Sequence, residues 1–452
     1  MEYKSFIASK APIAQSTGFE PDALPAHLSD FQQACVAFTV RQGRAGLYLD
    51  TGLGKTRCQL EWLTQSIEQS NGKGLLLTPL AVAKQIEREA LALGYDARVI
   101  RDQSQAKDGI NICNYDRLDK IDPDAFGAVS LDEASIIKNF NGKVSGALAA
   151  AFEGHRFRLC ATATPAPNDH MELGQQADFL GVMSGNEMLM RWFINDTAEA
   201  SQKWRLKKHA EQDFWDWMAS WSRMAQNPED LGFDGSAYKL EPLNIIKHKA
   251  IGSNVKPEDG SLFMNDVSAT NMHNVKRQTS DSRADVIAEA ADNNEPFIAW
   301  CDTDYEAASL KARMPYAVEV SGSMPIEKKE ENLEAFSLGQ VRAIITKPSV
   351  AGFGLNWQHC CNMGFAGRSF SYEAWYQAVR RSWRFGQKRP VNVHLVVAEG
   401  EDQIGRIIDR KSDDHIRMKK AMAIAMQRNV GRDQARPIKY NPTHQGELPS
   451  WL

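Results

Sequence analysis

Short apolar runs, each stopping at a polar cluster, recur through two long stretches of the chain. From Leu28 to about Gly181 they are Leu75-Leu76-Leu77, Ile110-Asn111-Ile112, Val129-Ser130-Leu131 and Leu159-Cys160-Ala161, separated by helix-like segments. A second series starts near Asp281 and comprises Pro296 to Trp300, Ala317 to Val320, Ala343 to Ile345, Asn362 to Phe365 and Val391 to Val397. Buried strands alternating with helices predict an α/β protein whose parallel sheets are joined by right-handed crossovers. The expected order is a lead-in (1–27), a first lobe (28–181), a helical insertion and hinge (182–280), a second lobe (281–430) and a tail (431–452). Pro12, Pro21 and Pro25 in the lead-in, and Pro437, Pro442 and Pro449 in the tail, discourage regular structure there.

The middle region stands apart in composition. It carries Trp192, Trp204, Trp215, Trp217 and Trp221 beside Lys203, Arg205, Lys207 and Lys208. Phe214, Trp217, Met218 and Trp221 fall at i, i+3, i+4 and i+7, an apolar helical stripe. Such a stripe packs a small helical core, and the basic cluster before it suits a nucleic-acid backbone. From Asn254 to Asp281 the chain turns polar, which predicts a hinge.

A chain of 452 residues exceeds one compact core and suits two domains plus an insertion. With 43% hydrophobic and 24% charged residues it reads as a soluble globular protein. No apolar run approaches the ~18–20 residues of a membrane span, and Met1 to Gly18 lacks a signal-peptide core. Seven cysteines form no C-x-x-C pair and lie mostly in apolar runs, so reduced core thiols are expected rather than zinc ligands or disulfides. The net charge of −4 excludes a polycation that coats nucleic acid, so any such partner must follow a local basic surface.

Three segments carry candidate chemistry. Asp50-Thr51-Gly52-Leu53-Gly54-Lys55-Thr56 follows the apolar run Ala45 to Leu49 and precedes a helix-like stretch. Glycines let backbone N–H groups approach phosphate oxygens, and a helix N-terminus adds a favourable dipole. Lys55 would reach the β- and γ-phosphates of a nucleotide, and Thr56 would hold Mg²⁺. The strict phosphate-loop pattern has glycine where this chain has Leu49, so an ordinary strand-to-helix turn fits these residues too. Asp132-Glu133 ends the run Ala128 to Leu131, at the strand edge where α/β sheets gather ligands. Asp132 suits a metal and Glu133 suits an attacking water; a helix N-terminus attracts acids as well. Arg381 and Arg384, three apart, share one helix face and suit arginine fingers or a solvated basic surface.

Taken in order, these segments resemble the Swi/Snf-type ATPases of helicase superfamily two. Phe31-Gln32 resembles the family's adenine-reading glutamine motif, and Asp50 to Thr56 resembles motif I. Leu77-Thr78-Pro79-Leu80 is similar to motif Ia, Asn114-Tyr115-Asp116-Arg117-Leu118 to Ib, and Asp132 to Asn139 to motif II. Thr162-Ala163-Thr164-Pro165 resembles motif III, Gly352 to Asn356 the end of motif V, and Gln377 to Gln387 motif VI. The match runs from about Leu28 to about Lys411, in the layout of small bacterial or phage-encoded members. Three departures accompany it: Ser135 for the usual histidine, Ala163 for glycine, and Lys347-Pro348 at the start of motif V.

The resemblance implies two RecA-like lobes with the Trp-rich insertion between them, ATP and Mg²⁺ in the cleft, and a cytoplasmic motor that hydrolyses ATP. The implied catalytic residues are Lys55, Asp132, Glu133, Arg381 and Arg384. ATP would contact Gln32, Asp50, Thr51, Gly52, Leu53, Gly54, Lys55, Thr56, Gly354, Gln377, Arg381 and Arg384, with Thr56 and Asp132 on the metal. Thr78, Pro79, Tyr115, Thr162, Gly322, Lys347 and Asn356 would track DNA, duplex or forked. A fork or RNA helicase, or a nucleotide-gated clamp that does not move, are the alternatives.

Overall fold

The computed structural model describes residues 14–138, 143–196, 203–250, 269–352, 354–398 and 401–430. The tail from Gly431, Asn139, Phe353, the start of the lead-in and most of the expected hinge lie outside the described residues.

Two parallel sheets organise the chain. The first contains β1 (Arg44–Leu49), β2 (Lys73–Thr78), β3 (Ala97–Val99), β4 (Gly109–Asn114), β5 (Ala128–Asp132), β6 (Phe157–Ala161) and, after a two-stranded ribbon of β7 (Phe193–Asp196) and β8 (Lys203–Leu206), β9 (Ser222–Ala225). Its order is β3-β4-β2-β5-β6-β1-β9, with every pairing parallel. The second holds β10 (Leu243–Lys249), β11 (Phe297–Trp300), β12 (Val318–Val320), β13 (Ala343–Thr346), β14 (Asn362–Phe365) and β15 (Val391–Val397), ordered β10-β15-β14-β11-β13-β12 and parallel throughout. Strands buried on both faces read as unbroken apolar runs, as Leu75 to Leu77 and Ile344-Ile345 do.

Helices cover both faces of each sheet. In the first lobe they are α1 (Asp30–Gln42), α2 (Lys55–Glu68), α3 (Ala83–Ala92), α4 (Lys143–Ala151), α5 (Leu173–Leu180), α6 (Gly185–Trp192) and α7 (Glu211–Trp221). The second has α8 (Ala269–Gln278), α9 (Ser280–Ala290), α10 (Asp304–Arg313), α11 (Ile326–Ser337), α12 (Pro348–Ala351), α13 (Tyr372–Val379) and the long α14 (Asp402–Val430). No described helix is long and apolar enough to cross a membrane.

The stretch read as an insertion is shared between the lobes: β9 extends the first sheet beside β1, and β10 edges the second beside β15. Its aromatic stripe is core. Phe214, Trp217 and Trp221 on α7 are buried, and Trp217 stacks on Trp192 at 4.7 Å between ring centroids. Part of the basic cluster serves the fold, since Lys207 Nζ donates to the carbonyls of Met190 and Arg191 at the end of α6, where a cation complements the helix dipole. All seven cysteines are free and buried.

Candidate active site in the cleft between the lobes

At the end of β1 the chain turns through Asp50 to Gly54 and enters α2 at Lys55. Gly52 and Gly54 have φ of +92° and +81°, a region that L side chains rarely adopt. Gly54, the residue before α2, offers no side-chain cap, so the first amides of the helix are left for a ligand. A Cβ on Gly54 would lie 2.1 Å from Gln32 Nε2. That amide donates to Leu53 O at 3.0 Å, while Gln32 Oε1 accepts the Ser29 N–H at 3.1 Å. Gln32, expected at adenine, thus has both ends of its amide engaged in holding the loop against α1.

Gly54→Ala is expected to cost about 1–3 kcal/mol, from the backbone conformation and displacement of the Gln32 amide. Gly94 also has positive φ but open space around it, so Gly94→Ala should show only the conformational part, about 1 kcal/mol. Chemical denaturation compares the two, and equal losses would remove the Gln32 contact from this account.

The carboxylate pair lies at the end of β5. Asp132 is buried; Oδ1 accepts from Gln59 Nε2 and Oδ2 from Thr78 Oγ1, each at 3.0 Å. Glu133 sits beside it with φ +52°, one of two non-glycine residues in the left-handed region among those described. Such conformations cost roughly 1–3 kcal/mol and cluster at functional sites. Glu133 Oε2 accepts from Thr162 Oγ1 at 3.2 Å, and Oε1 lies 3.9 Å from Lys55 Nζ. Burial pushes the Asp132 carboxyl up and the charge on Glu133 pushes it further, against the pull of Lys55. Two buried, mutually repelling carboxylates fit a cation. No cluster of three or more metal-ligating side chains occurs among the described residues.

Three expected DNA contacts turn inward instead. The Thr78 hydroxyl faces Asp132, the Thr162 hydroxyl faces Glu133, and Tyr115 OH donates to Asp132 O at 2.7 Å. Thr78 and Thr162 are fully buried. The Asp132 and Glu133 carboxylates accept the two threonine hydroxyls and the Asp132 carbonyl accepts that of Tyr115, which turns all three away from solvent. Pro79, the edge of Tyr115 and Gly322 do line one cavity of about 440 Å³, shared by both lobes and reaching Glu133. Lys347 lies outside its lining and pairs with Asp304 at 2.8 Å; Asn356 donates its N–H to Gln85 Oε1 of the first lobe at 3.2 Å. Gly354, at φ +71°, brings the second lobe so near that a Cβ there would lie 2.2 Å from Val82.

From the second lobe, α13 and the turn after it face these elements. Gln377 Nε2 donates across the cleft to Thr164 Oγ1 at 3.2 Å. Arg381 is buried and holds three oxygens: Gln377 O at 2.9 Å, Leu355 O at 2.9 Å and Gln377 Oε1 at 2.8 Å. Arg384 makes one long contact, Nη1 to Leu355 O at 3.4 Å, and its buried Nε has no partner. Burial draws Arg381 down to about 9 against the opposing pull of Glu133. Burial and then the Arg380 charge draw Arg384 down to about 10. Neither arginine forms an ion pair among the described residues, which leaves cationic charge at the cleft for an anion.

Two functional residues escaped the sequence reading. Arg380 Nη2 lies 2.7 Å from Asp50 Oδ2, and Lys419 Nζ on α14 lies 3.3 Å from the same oxygen. Asp50 Oδ1 accepts from Tyr376 OH and from the Thr51 N–H. Burial alone would raise the Asp50 carboxyl; the Arg380 and Lys419 charges and the hydrogen bonds from Arg380 and Tyr376 hold it far below the usual carboxylate range. Asp50, expected on ATP, is the carboxylate that fastens the glycine loop to the second lobe. Adjacent arginines in the sequence are the signal for Arg380, since consecutive residues leave a helix on different faces. Lys419 is 369 residues from its partner and has no local signal.

No protein-family model and no curated protein matches the sequence. Among solved structures, S. cerevisiae Dbp5 bound to RNA and ADP BeF3 is similar, with TM-score 0.56 and 11% identity over 87% of this chain and 93% of that chain. The likeness is one of fold: the two parallel-sheet α/β lobes of this chain match the two RecA-like lobes of that structure.

Proposed function

We propose that the chain is an ATP-driven nucleic-acid motor of the Swi/Snf type, which hydrolyses ATP to ADP and phosphate while moving along duplex DNA in a bacterial or phage-infected cell. The observation that carries this reading is the convergence in one cleft of a glycine-rich turn, a strained and repelling carboxylate pair, and two arginines from the opposite lobe without carboxylate partners.

In this reading the backbone of Gly52 to Thr56 and the Lys55 ammonium hold the phosphates. Thr56 and Asp132 would hold Mg²⁺, which would supply neutralisation of phosphate charge. Glu133 orients a water and takes its proton, steadied by the Thr162 hydroxyl and the nearby Lys55. Arg384, with Arg381 beside it, meets charge that develops on the phosphoryl group as the bond breaks. Loss of that phosphoryl group loosens the arginines' hold and lets the lobes part. Pro79, Tyr115 and Gly322 line the cavity that leads from Glu133 to the surface, the route by which a bound backbone would feel the nucleotide. Backbone contacts position a protein without reading bases, as a motor needs.

RNA is the second reading, favoured by the RNA bound in the Dbp5 structure. ATPase titrated with duplex, forked and single-stranded DNA and with RNA decides. Stimulation by duplex DNA, followed by ATP-dependent displacement of a triplex-forming strand, supports the motor. Stimulation by RNA alone moves the substrate to RNA, and stimulation without displacement makes the protein a clamp.

A further inference from the structure

α14 is one unbroken helix with a footing on each lobe. Near its start, Ile404 and Ile408 bury against Tyr372 of α13, flanked by Trp375 and Tyr376. Near its end, Met418, Met422, Ala425 and Met426 enter the first lobe's core with Tyr48, Trp217 and Trp221. Arg428 pairs with Asp216 of α7 at 2.9 Å, and the Met224 N–H of β9 points at Met426 Sδ at 3.2 Å. Ile408 and Met418 are separated by ~15 Å of rigid helix. The lobes therefore cannot part as rigid bodies unless the helix bends or a footing lets go. The footing on the second lobe is the lighter: two isoleucines, the His415 ring on Tyr372 and Tyr376, and a long Lys411 contact to Phe370 O, against four residues set in a large core. Where α14 passes the cleft, the Lys419 side chain is only 3% exposed and reaches Asp50 Oδ2 and, at 3.5 Å, Tyr376 OH. The other oxygen of Asp50 accepts the Thr51 N–H at 2.6 Å, the first amide of the glycine turn.

We infer that α14 is a strap that transmits lobe position to the phosphate loop, with Lys419 as a positioning residue acting through Asp50. With both footings in place, Lys419 and Arg380 hold Asp50, and Asp50 holds the Thr51 amide in the loop's curved form. Release of the lighter footing lets Arg380 and Tyr376 leave Asp50 with the second lobe, while Lys419 stays beside Met418 in the first lobe's core, and the loop loses most of the restraint that shapes it for phosphate. The inference rests on the proposed ATPase reading for its kinetic consequence, while its structural consequence is independent of any reaction.

The test uses the full chain and three variants: Lys419→Met, which keeps the stem and removes the charge, Lys419→Arg, which restores the charge, and Ile408→Ala at the lighter footing. Hydrogen exchange is followed without nucleotide, and KM for ATP is separated from kcat. Lys419→Met is expected to speed exchange across residues 50–56 by ~10-fold and to raise KM by ~10-fold while kcat changes less. Lys419→Arg should restore both, and Ile408→Ala should reproduce the faster exchange at 50–56 without touching the loop. Unchanged exchange at 50–56 in both Lys419→Met and Ile408→Ala overturns the strap. So does faster exchange spread equally over α7 and β9, which would make Lys419 a core lysine. A chain with no ATPase under any condition defeats the proposed function, yet the exchange measurements still decide the strap.

Discussion

Glu133→Gln is expected to bind ATP about as tightly as the wild type and to hydrolyse it ~10²–10⁴-fold more slowly, the usual contribution of a positioned general base. The amide keeps the size of the carboxylate and an oxygen that can still accept from Thr162 Oγ1, now 3.2 Å from Glu133 Oε2. What disappears is the capacity to take a proton. The substitution also removes the charge that, after burial, raises the neighbouring Asp132, so the metal-facing carboxylate ionises more readily and nucleotide binding should not suffer. Equilibrium titration with a fluorescent ATP analogue, beside single-turnover hydrolysis, separates the two effects. Parallel losses of affinity and turnover would make Glu133 a binding residue and leave the water without a base.

The sheets were legible because their central strands are buried on both faces. Val129-Ser130-Leu131 and Ala343 to Ile345 announce themselves as apolar runs, and each lies in a strand of the expected lobe. Edge strands carry no such mark. β10 reads Leu-Asn-Ile-Ile-Lys-His-Lys and is mostly exposed, and its partner β15 begins 148 residues later. β9 is four residues long and directly follows the Trp-rich helix, so its polar start hid it.

At the candidate site, local motifs were readable and orientations were not. The glycine turn and the Asp132-Glu133 pair are contiguous, and their conformations follow from residue type. The hydroxyls of Thr78, Thr162 and Tyr115 stand at strand ends, where sequence gives proximity to the cleft but not the direction of a torsion. Buried acceptors next door decided that direction, the Asp132 and Glu133 carboxylates for the two threonines and the Asp132 carbonyl for Tyr115. The partners of Asp50 were hidden for a related reason: Tyr376, Arg380 and Lys419 come from the other end of the chain.

The two arginines of the cleft should separate cleanly. Arg384→Ala is expected to lower kcat by ~10³-fold or more, the lower range for an arginine that meets the transferred phosphoryl group. Its stability should stay within about 1 kcal/mol, because the side chain makes one contact at 3.4 Å and its Nε binds nothing in the protein. Arg381→Ala should also lose turnover, but with a different signature. Its guanidinium satisfies Leu355 O, Gln377 O and Gln377 Oε1 inside the second lobe. Removing it strands Gln377 O and Gln377 Oε1 at about 1–3 kcal/mol each, leaves Leu355 O only its long contact from Arg384, and frees Gln377, which bridges to Thr164 of the first lobe. Thermal unfolding, set beside rapid-quench hydrolysis at saturating ATP, reads both quantities on the same preparations. A hydrolysis loss without a stability loss marks Arg384 as the group held ready for the phosphate. If Arg384→Ala instead melts as early as Arg381→Ala, or turns over within a few-fold of wild type, its unpartnered nitrogen is a packing accident and the finger must be sought elsewhere on the second lobe.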